Sequence, residues 1–198
     1  MMRRFKIIIL TSGKSRGSNF VAIANHIEKK NLPIDIVKVI VTSKTAPVIE
    51  RCQKLAIQHQ FISCLDITSY QDKLKELIIT NSIDLIVLAG FMKLLTADFI
   101  DSINIPILNI HPALLPKHGG KGMYGMNVHN AVFQARDKFS GITIHQVNSD
   151  YDRGEVVFRK KIRVHRSKSS EIIAKKVLKQ EHKNYGRVIY KFLQEYYG

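Results

Sequence analysis

Hydrophobic positions follow two patterns along this chain: short continuous apolar runs, and longer stretches in which apolar residues recur every three or four positions. The first pattern predicts buried strands and the second predicts amphipathic helices. We predict strands at Phe5–Thr11, Ile34–Thr42, Gln60–Cys64, Asp84–Ala89, Ile105–Ile110, Gly141–Val147 and Glu155–Val164. We predict helices at Ser18–Asn31, Thr45–Gln58, Ser69–Ser82, Val128–Arg136 and Ser169–Tyr196.

The order of these elements predicts the fold class. Strands and helices alternate with short connections, which is typical of an α/β fold with a mostly parallel, Rossmann-like open sheet and helices on both faces. The last two strands lie close together in the chain and are expected to be antiparallel, and a long carboxyl-terminal helix follows them. We see no internal repeat, low-complexity tract or linker, so we expect residues 1–198 to form a single domain.

The composition is that of a soluble globular protein, with 45% hydrophobic and 24% charged residues among 198. The apolar runs are shorter than a membrane span. Lys6 interrupts the apolar start of the chain and no small-residue cleavage site follows, so we expect a cytoplasmic protein. Cys52 and Cys64 are too few for a disulfide framework or a zinc site and are expected to be buried thiols.

The net charge of +15 attracts anions such as phosphates, polyglutamates and nucleic acids, without selecting among them. One basic cluster, between Arg159 and Lys168, alternates partly with apolar residues. We interpret this cluster as the solvated face of an edge strand, where basic side chains also discourage aggregation.

Asn109 and His111 come at the end of an apolar run, and Pro112 and Pro116 stop the strand from continuing. In open α/β sheets, ligands bind at the carboxyl ends of the strands. An amide can hold a developing oxyanion and an imidazole can carry a proton, so the pair indicates acyl-group chemistry. The alternative is a histidine whose ring is satisfied by loop carbonyls.

The first loop contains Gly13-Lys14-Ser15 but lacks the earlier glycine of a triphosphate-binding loop and the glycines of a dinucleotide fingerprint. A strand, a glycine loop and a helix start remain, with Ser18 or Asn19 available as the cap. Free N–H groups at a helix start suit a single phosphate, although an ordinary turn has the same pattern.

Two later segments have both a functional and a structural interpretation. Asp152 lies in a turn between the last two strands, where a carboxylate could orient an imidazole or simply form the turn. Residues 119–125 hold four glycines and are either a mobile lid or a flexible surface loop. We interpret His145, on a predicted strand, as a structural histidine, and the remaining histidines lack metal-site spacing.

Several ordered motifs resemble the folate-dependent formyltransferase family, and the resemblance covers essentially the whole chain. They are Gly17–Asn19, Leu88–Leu95, Leu108–Pro116, Asp152–Gly154 and Gln180–Tyr185. The similarity is greatest to family members that act on glycinamide ribonucleotide in purine synthesis.

The resemblance implies a role for each matching position. It assigns catalysis to Asn109, His111 and Asp152. It assigns ribonucleotide binding to Gly17, Ser18, Asn19 and Glu181. It assigns the folate pocket to Met92, Lys93, Leu94 and Leu95, together with Asn109.

The implied reaction transfers the formyl group of 10-formyltetrahydrofolate, a co-substrate, to the amine of glycinamide ribonucleotide, without a metal. We expect Asn109 and a protonated His111 to donate to the oxyanion, and Asp152 to raise the pKa of His111 so that its cation is available near neutral pH. The expected partners are these small molecules, with no nucleic acid and no membrane, in a monomer or homodimer.

Three alternatives remain open. A shared catalytic core could formylate methionyl-tRNA or an amino-sugar nucleotide, and a basic α/β chain could bind nucleic acid without catalysis. The last alternative leaves Asn109, His111 and Asp152 unexplained.

The chain departs from the family pattern in the first loop, which has two additional residues before Gly17. Lys14 and Arg16 lie in this stretch and could contact the phosphate. Lys93 stands where an arginine is more usual, which exchanges a planar bidentate group for a point charge. The family's arginine in the third helix has no counterpart before Tyr70.

Overall fold

The computed structural model describes residues 3–13 and 15–198 of the chain. Its strands form one seven-stranded sheet in the order β3-β2-β1-β4-β5-β6-β7. The first five strands in this order are mutually parallel, whereas β6 is antiparallel to both β5 and β7. The strands are β1 Phe5–Thr11, β2 Ile34–Val41, β3 His59–Phe61, β4 Leu85–Leu88, β5 Ile107–His111, β6 Phe139–Gln146 and β7 Val156–Arg163.

Six helices connect or follow these strands in the described part of the chain. They are α1 Ser18–Lys30, α2 Val48–Lys54, α3 Ile67–Asn81, α4 Ala97–Ser102, α5 Met126–Gln134 and α6 Ser170–Tyr197. The predicted fold class is thereby confirmed: the sheet is open and mostly parallel, its last strands are antiparallel, and the final helix is long.

Alternate residues of β1 build the two halves of the core, because successive side chains of a strand point to opposite faces. Ile7 and Ile9 pack with α1, α2, α5 and α6, whereas Ile8 and Leu10 pack with α3 and α4. Since β1 is covered on both faces, its residues Ile7 to Leu10 form a continuous apolar run without alternation.

Tyr185 of α6 links the core to the strand ends. Its side chain is fully buried, and its hydroxyl lies 2.9 Å from the carbonyl oxygen of Leu88 and 3.0 Å from that of Leu108. The long helix is therefore fixed against β4 and β5 at their carboxyl ends, where the motifs identified in the sequence converge.

The clearest difference from the predicted elements is α4, which we did not predict. Its six residues are too few to show a helical period, and only Phe99 is buried. The second helix is also shorter than predicted, since it ends at Lys54 and Ala56 then adopts a left-handed backbone.

Other expectations concern the surface and the thiols. Cys52 and Cys64 are both free and buried, as predicted. Strand β7, which carries much of the basic cluster, pairs only with β6 and is an edge of the sheet. None of the helices in residues 3–13 and 15–198 is long and apolar enough to cross a bilayer.

Candidate active site

A cavity of about 730 Å³ lies at the carboxyl ends of β4 and β5. This volume is in the range of small-molecule sites, and the place is where open α/β sheets bind ligands. The cavity is lined by residues 88–95 after β4, the end of β5, the β6–β7 turn, residues 120–126, and parts of α1 and α6. All but one of the predicted site residues line it; Gly17, immediately before α1, does not.

Asn109 lies on β5 opposite His145 of the antiparallel strand β6. The amide nitrogen Nδ2 of Asn109 is 3.2 Å from Nε2 of His145. The side chain is therefore held within the cavity, as an amide donor for an oxyanion must be.

His111 is the last residue of β5 and is buried. Its Nε2 is 2.8 Å from the carbonyl oxygen of His118, and its Nδ1 is 3.4 Å from Oδ2 of Asp152. These distances assign the single proton of the neutral ring to Nε2, which donates to the carbonyl, and leave a lone pair on Nδ1 beside the carboxylate.

Burial opposes the expected protonation of His111 in the free protein. Burial lowers the pKa of the imidazole, and although Asp152 and the His118 carbonyl raise it, the balance stays below the usual value. Desolvation outweighs the carboxylate because the ring is almost fully enclosed and its contact with Asp152 is long. The neutral form of His111 is consequently favoured in the free protein.

Asp152 is the carboxylate at the centre of this group. Its Oδ2 accepts a 2.9 Å hydrogen bond from the backbone N–H of Gly120, and its Oδ1 is 3.5 Å from Nε2 of His145. Burial raises its pKa, but His145, His111 and the Gly120 N–H together hold the pKa below the usual value. The backbone of Asp152 is left-handed, with φ 57°, a conformation that Asp tolerates better than most residues.

The structure places His145, which we interpreted as a structural histidine, in the wall of the cavity. Its ring lines the cavity and touches both Asn109 and Asp152, while its Nδ1 lies 2.9 Å from the Gln146 carbonyl oxygen. The contacts depend on the register between β5 and β6, and that register cannot be predicted from a single sequence.

His129 is a second unpredicted histidine of the cavity wall. It is buried on α5, and burial, assisted by the neighbouring His111, lowers its pKa to about 4. Because the His129 ring is neutral, it does not repel a positive charge on His111. Asp152 is then the charged group that contacts His111.

The first loop and α1 form another part of the cavity. Helix α1 begins at Ser18, and its cap is Gly17, with φ 69°, instead of the predicted Ser18 or Asn19. A side chain at position 17 would place Cβ 2.3 Å from a methyl of Val48. No side chain in the described part of the chain caps this helix, so its first N–H groups stay available to an anion.

The structure describes one of the two basic residues of this loop. Arg16 is exposed. Lys14, the other candidate phosphate contact, lies outside the described residues.

Asn19 and Glu181, matched to the ribonucleotide site from distant parts of the chain, meet in the structure. The amide of Asn19 donates a 3.1 Å hydrogen bond to the carboxylate of Glu181. Burial raises the pKa of Glu181 to about 7 despite this bond. The carboxyl group therefore changes charge close to physiological pH.

The segment assigned to folate follows β4 and forms an apolar wall of the cavity. Met92, Lys93 and Leu94 are exposed, whereas Leu95 is buried in the core and anchors the segment. The N–H of Met92 donates a 2.6 Å hydrogen bond to the Ser12 hydroxyl, which joins this segment to the first loop.

Tyr70, beside which the family's arginine was sought, is fully buried. Its ring stacks on Phe91 with centroids 5.8 Å apart. It packs behind the segment that follows β4 and does not line the cavity.

The glycine-rich segment divides into two parts. Gly119 is closely packed, since an added Cβ would lie 2.5 Å from Leu115 and 3.2 Å from Asp152. Gly120, Gly122 and Gly125 have positive φ and open space around the Cα. The segment is thus closely packed next to Asp152, and packing leaves space around its later glycines.

Residues 5–189 match the family described as formyl transferase. The chain belongs to the formyl transferase family. The match spans all seven strands and most of α6, and it includes every predicted site residue.

Individual relatives agree with this assignment. The chain is 34% identical over 206 residues to the chloroplastic phosphoribosylglycinamide formyltransferase of Vigna unguiculata, covering 98% of this chain and 62% of that protein. It is 32% identical over 190 residues to the Haemophilus influenzae phosphoribosylglycinamide formyltransferase, covering 93% and 85%. The chain thus spans less than two thirds of the plant relatives that it matches.

A solved structure shows the same fold. The phosphoribosylglycinamide formyltransferase of Coxiella burnetii superposes with a TM-score of 0.86 at 30% identity, covering 98% of this chain and 89% of that one.

No group of three or more His, Cys, Asp or Glu residues in a metal-binding arrangement occurs within residues 3–13 and 15–198.

Proposed function

We propose that this protein transfers the formyl group of 10-formyltetrahydrofolate to the amine of glycinamide ribonucleotide. The observation that carries this proposal is the meeting of Asn109, His111 and Asp152 at one end of the cavity, in a chain whose relatives are phosphoribosylglycinamide formyltransferases. The geometry supplies an amide donor, a proton carrier and a carboxylate.

His111 starts the reaction as a base in this mechanism. The substrate amine attacks the formyl carbon, a C–N bond forms, and the carbonyl oxygen becomes an oxyanion. Nδ1 of His111 carries a free lone pair and takes the proton that the amine releases. The resulting imidazolium lies beside Asp152, whose negative charge stabilises it.

Collapse of the tetrahedral intermediate completes the transfer. The Asn109 amide, already directed into the cavity, donates to the oxyanion while it exists. The bond between the formyl carbon and the folate nitrogen then breaks, and the imidazolium returns the proton to that nitrogen. His111 is neutral again, so no net proton is consumed.

The two substrates bind against different walls of the cavity. The phosphate of the ribonucleotide binds at the start of α1, at Gly17, Ser18 and Asn19, because the free N–H groups and the helix dipole favour an anion. Glu181 contacts the ribonucleotide. The folate lies against Met92, Leu94 and Leu95, and the exposed Lys93, which also lines the cavity, offers a cation to its acidic end.

Other amine acceptors are the alternative that the charge keeps open. A net charge of +15 would favour tRNA as much as it favours a small phosphate ester. The enclosed carboxyl group of Glu181 beside Asn19 instead suits a compact polar substrate, and it distinguishes our main proposal from a tRNA acceptor.

The test is a formyl-transfer assay that offers glycinamide ribonucleotide, initiator methionyl-tRNA and water as competing acceptors. We expect formyl transfer to the ribonucleotide to exceed the other two by at least about 100-fold in kcat/KM, roughly 3 kcal/mol of transition-state discrimination. Preferential formylation of the tRNA, or release of formate into water, would contradict the proposal.

A further inference from the structure

A second imidazole–carboxylate pair lies just outside the cavity. Nε2 of His118 is 2.7 Å from Oδ2 of Asp137, with side chains 13% and 15% exposed. Asp137 follows α5, and its carboxylate also meets the exposed Lys117. The mechanism above uses none of these three side chains.

This outer pair is joined to the catalytic group through the backbone. The carbonyl oxygen of His118 is the one that accepts the 2.8 Å hydrogen bond from Nε2 of His111. Two residues later, the N–H of Gly120 donates to Asp152. One short segment thus contacts both His111 and Asp152, and the His118 side chain ties that segment to Asp137.

The segment adopts a backbone that needs such a tie. His118 has φ 57°, in the left-handed region that costs a non-glycine residue about 1 kcal/mol or more. The Gly120 N–H bond to Asp152 holds this backbone from one side, and the His118 side chain is its second point of attachment. The short contact with Asp137, in which the carboxylate accepts the imidazole N–H, supplies that restraint.

The restraint matters because two acceptors compete for one proton on neutral His111. The His118 carbonyl lies 2.8 Å from Nε2, and the Asp152 carboxylate lies 3.4 Å from Nδ1. If the carbonyl moved away, the carboxylate would draw the proton to Nδ1, since hydrogen bonds to charged acceptors are stronger. The lone pair that accepts the amine proton would then be lost.

We propose that His118 and Asp137 are positioning residues for His111: their contact holds the His118 carbonyl where it fixes the His111 proton on Nε2. This inference rests on the proposed function for its catalytic consequence. Its structural content, the tautomer of His111, is independent of which acceptor is formylated.

The test compares Asp137→Asn and His118→Asn with Lys117→Met. Asp137→Asn removes the charge while keeping the shape, and Asn at 118 suits a left-handed backbone but lacks the imidazole. Lys117→Met removes the exposed partner of Asp137 and leaves the His118 contact intact, so it is the matched control. Ring ¹⁵N chemical shifts report the tautomer of His111, with its signals assigned by comparison with His111→Asn.

In the wild-type protein we expect one tautomer, with the proton on Nε2. In Asp137→Asn and His118→Asn we expect a substantial Nδ1–H population, a kcat about 10-fold lower, and KM values for both substrates within twofold. Lys117→Met should retain the wild-type tautomer and a kcat within twofold.

Wild-type His111 protonated on Nδ1, or either Asn variant with the wild-type tautomer and kcat, would overturn the inference. So would a rise in KM at unchanged kcat, because it would show that the pair merely shapes the binding loop. If one Asn variant fails to fold, the other carries the same comparison. Failure of the proposed function would instead leave wild-type transfer absent while the tautomer measurement still stands.

Discussion

Asp152 and Glu181 are both buried carboxylates of one cavity, but their surroundings affect their pKa values in opposite directions. Asp152 faces the Gly120 N–H and two imidazoles, and its pKa is lowered. The hydrogen bond that Glu181 receives from Asn19 does not offset burial, and its pKa is raised to about 7. Burial is thus outweighed for the carboxyl group at one place and dominates its pKa at the other.

The difference indicates which end of the cavity is complete before substrates bind. We call an end complete when contacts within the protein outweigh the effect of burial on the pKa of its carboxyl group. Around Asp152 the protein itself supplies one hydrogen bond, from the Gly120 N–H, and two imidazoles in contact, as the preorganised group that we propose requires. Around Glu181 the described residues supply one side-chain hydrogen bond, from Asn19, and the ribonucleotide is the further partner that we propose. Pairs of carboxylates with separated pKa values commonly mark a division of roles in active sites.

The largest effect should come from removing His111, the only proposed proton carrier at the complete end. We expect His111→Ala to lower kcat by roughly 10²- to 10³-fold while the fold survives, because the amine proton loses its acceptor. Asn109→Ala should cost roughly 10²-fold through loss of the oxyanion donor. Steady-state kinetics with circular dichroism measure both, with exposed His59→Ala as the control.

A folded His111→Ala protein with near-normal kcat would remove the assignment of the catalytic end altogether. The comparison between the two carboxylates would then describe binding alone.

Substitution of Asp152 tests the charge at that end. In the proposed mechanism the neutral form of His111 reacts, so kcat/KM should rise with pH through the imidazole pKa to a plateau. Asp152 raises that pKa, so Asp152→Asn should move the rise to lower pH and lower the plateau by about 10- to 100-fold.

The measurement is the pH–rate profile of kcat/KM, with Asp150→Asn of the same turn as the control. A profile of Asp152→Asn that matches the wild type in position and plateau would leave Asp152 as a turn residue only.

Glu181→Gln tests the incomplete end and should have two opposite consequences. The folded protein binds a proton on Glu181 that the unfolded chain releases between about pH 4.5 and 7, so this group's stability contribution is lost as pH rises through that interval. A neutral Gln avoids the loss, and at pH 8 we expect the variant to be more stable by roughly 1–3 kcal/mol. We also expect its affinity for glycinamide ribonucleotide to fall about 10-fold.

Thermal unfolding at pH 5 and pH 8 and calorimetric Kd values measure these effects, with exposed Glu28→Gln on α1 as the control. Equal unfolding temperatures of wild type and Glu181→Gln at both pH values would show that ionisation of Glu181 does not reduce the stability of the folded protein.

The smallest effect belongs to Arg16, which is exposed beside the start of α1. A solvated charge near a phosphate contributes about 0–1 kcal/mol, so Arg16→Ala should weaken ribonucleotide binding by no more than about fivefold and leave folate binding unchanged. Arg51→Ala on α2 is the control. A loss above about 10-fold would show that the loop closes over the phosphate.

The sequence predicted those features that depend on local pattern or on ordered motifs. The apolar run into Asn109 and His111, followed by prolines, was sufficient to place them at a strand end. The alternation of strands and helices was sufficient for the sheet. Asn19 and Glu181 were matched to the same ligand by resemblance, and the structure brings them into contact.

What the sequence did not predict depends on burial and register. His145 reaches Asn109 only because β6 pairs antiparallel to β5 at that register. The neutral state of His111 follows from the balance between enclosure and a 3.4 Å contact, which no spacing along the chain expresses. The contact of His111 with His118 uses a backbone carbonyl, and a carbonyl has no residue-specific signal.

The central claim is that the catalytic end is electrostatically complete without substrates and the ribonucleotide end is not. A ¹³C NMR titration of the side-chain carboxyl groups, with and without glycinamide ribonucleotide, tests it most directly. We expect Asp152 to titrate below its usual range in both states, and Glu181 to titrate at about 7 in the free protein and lower when the ribonucleotide is bound. An ordinary pKa for Glu181 in the free protein, or an Asp152 that titrates low only with ligand bound, would contradict the account.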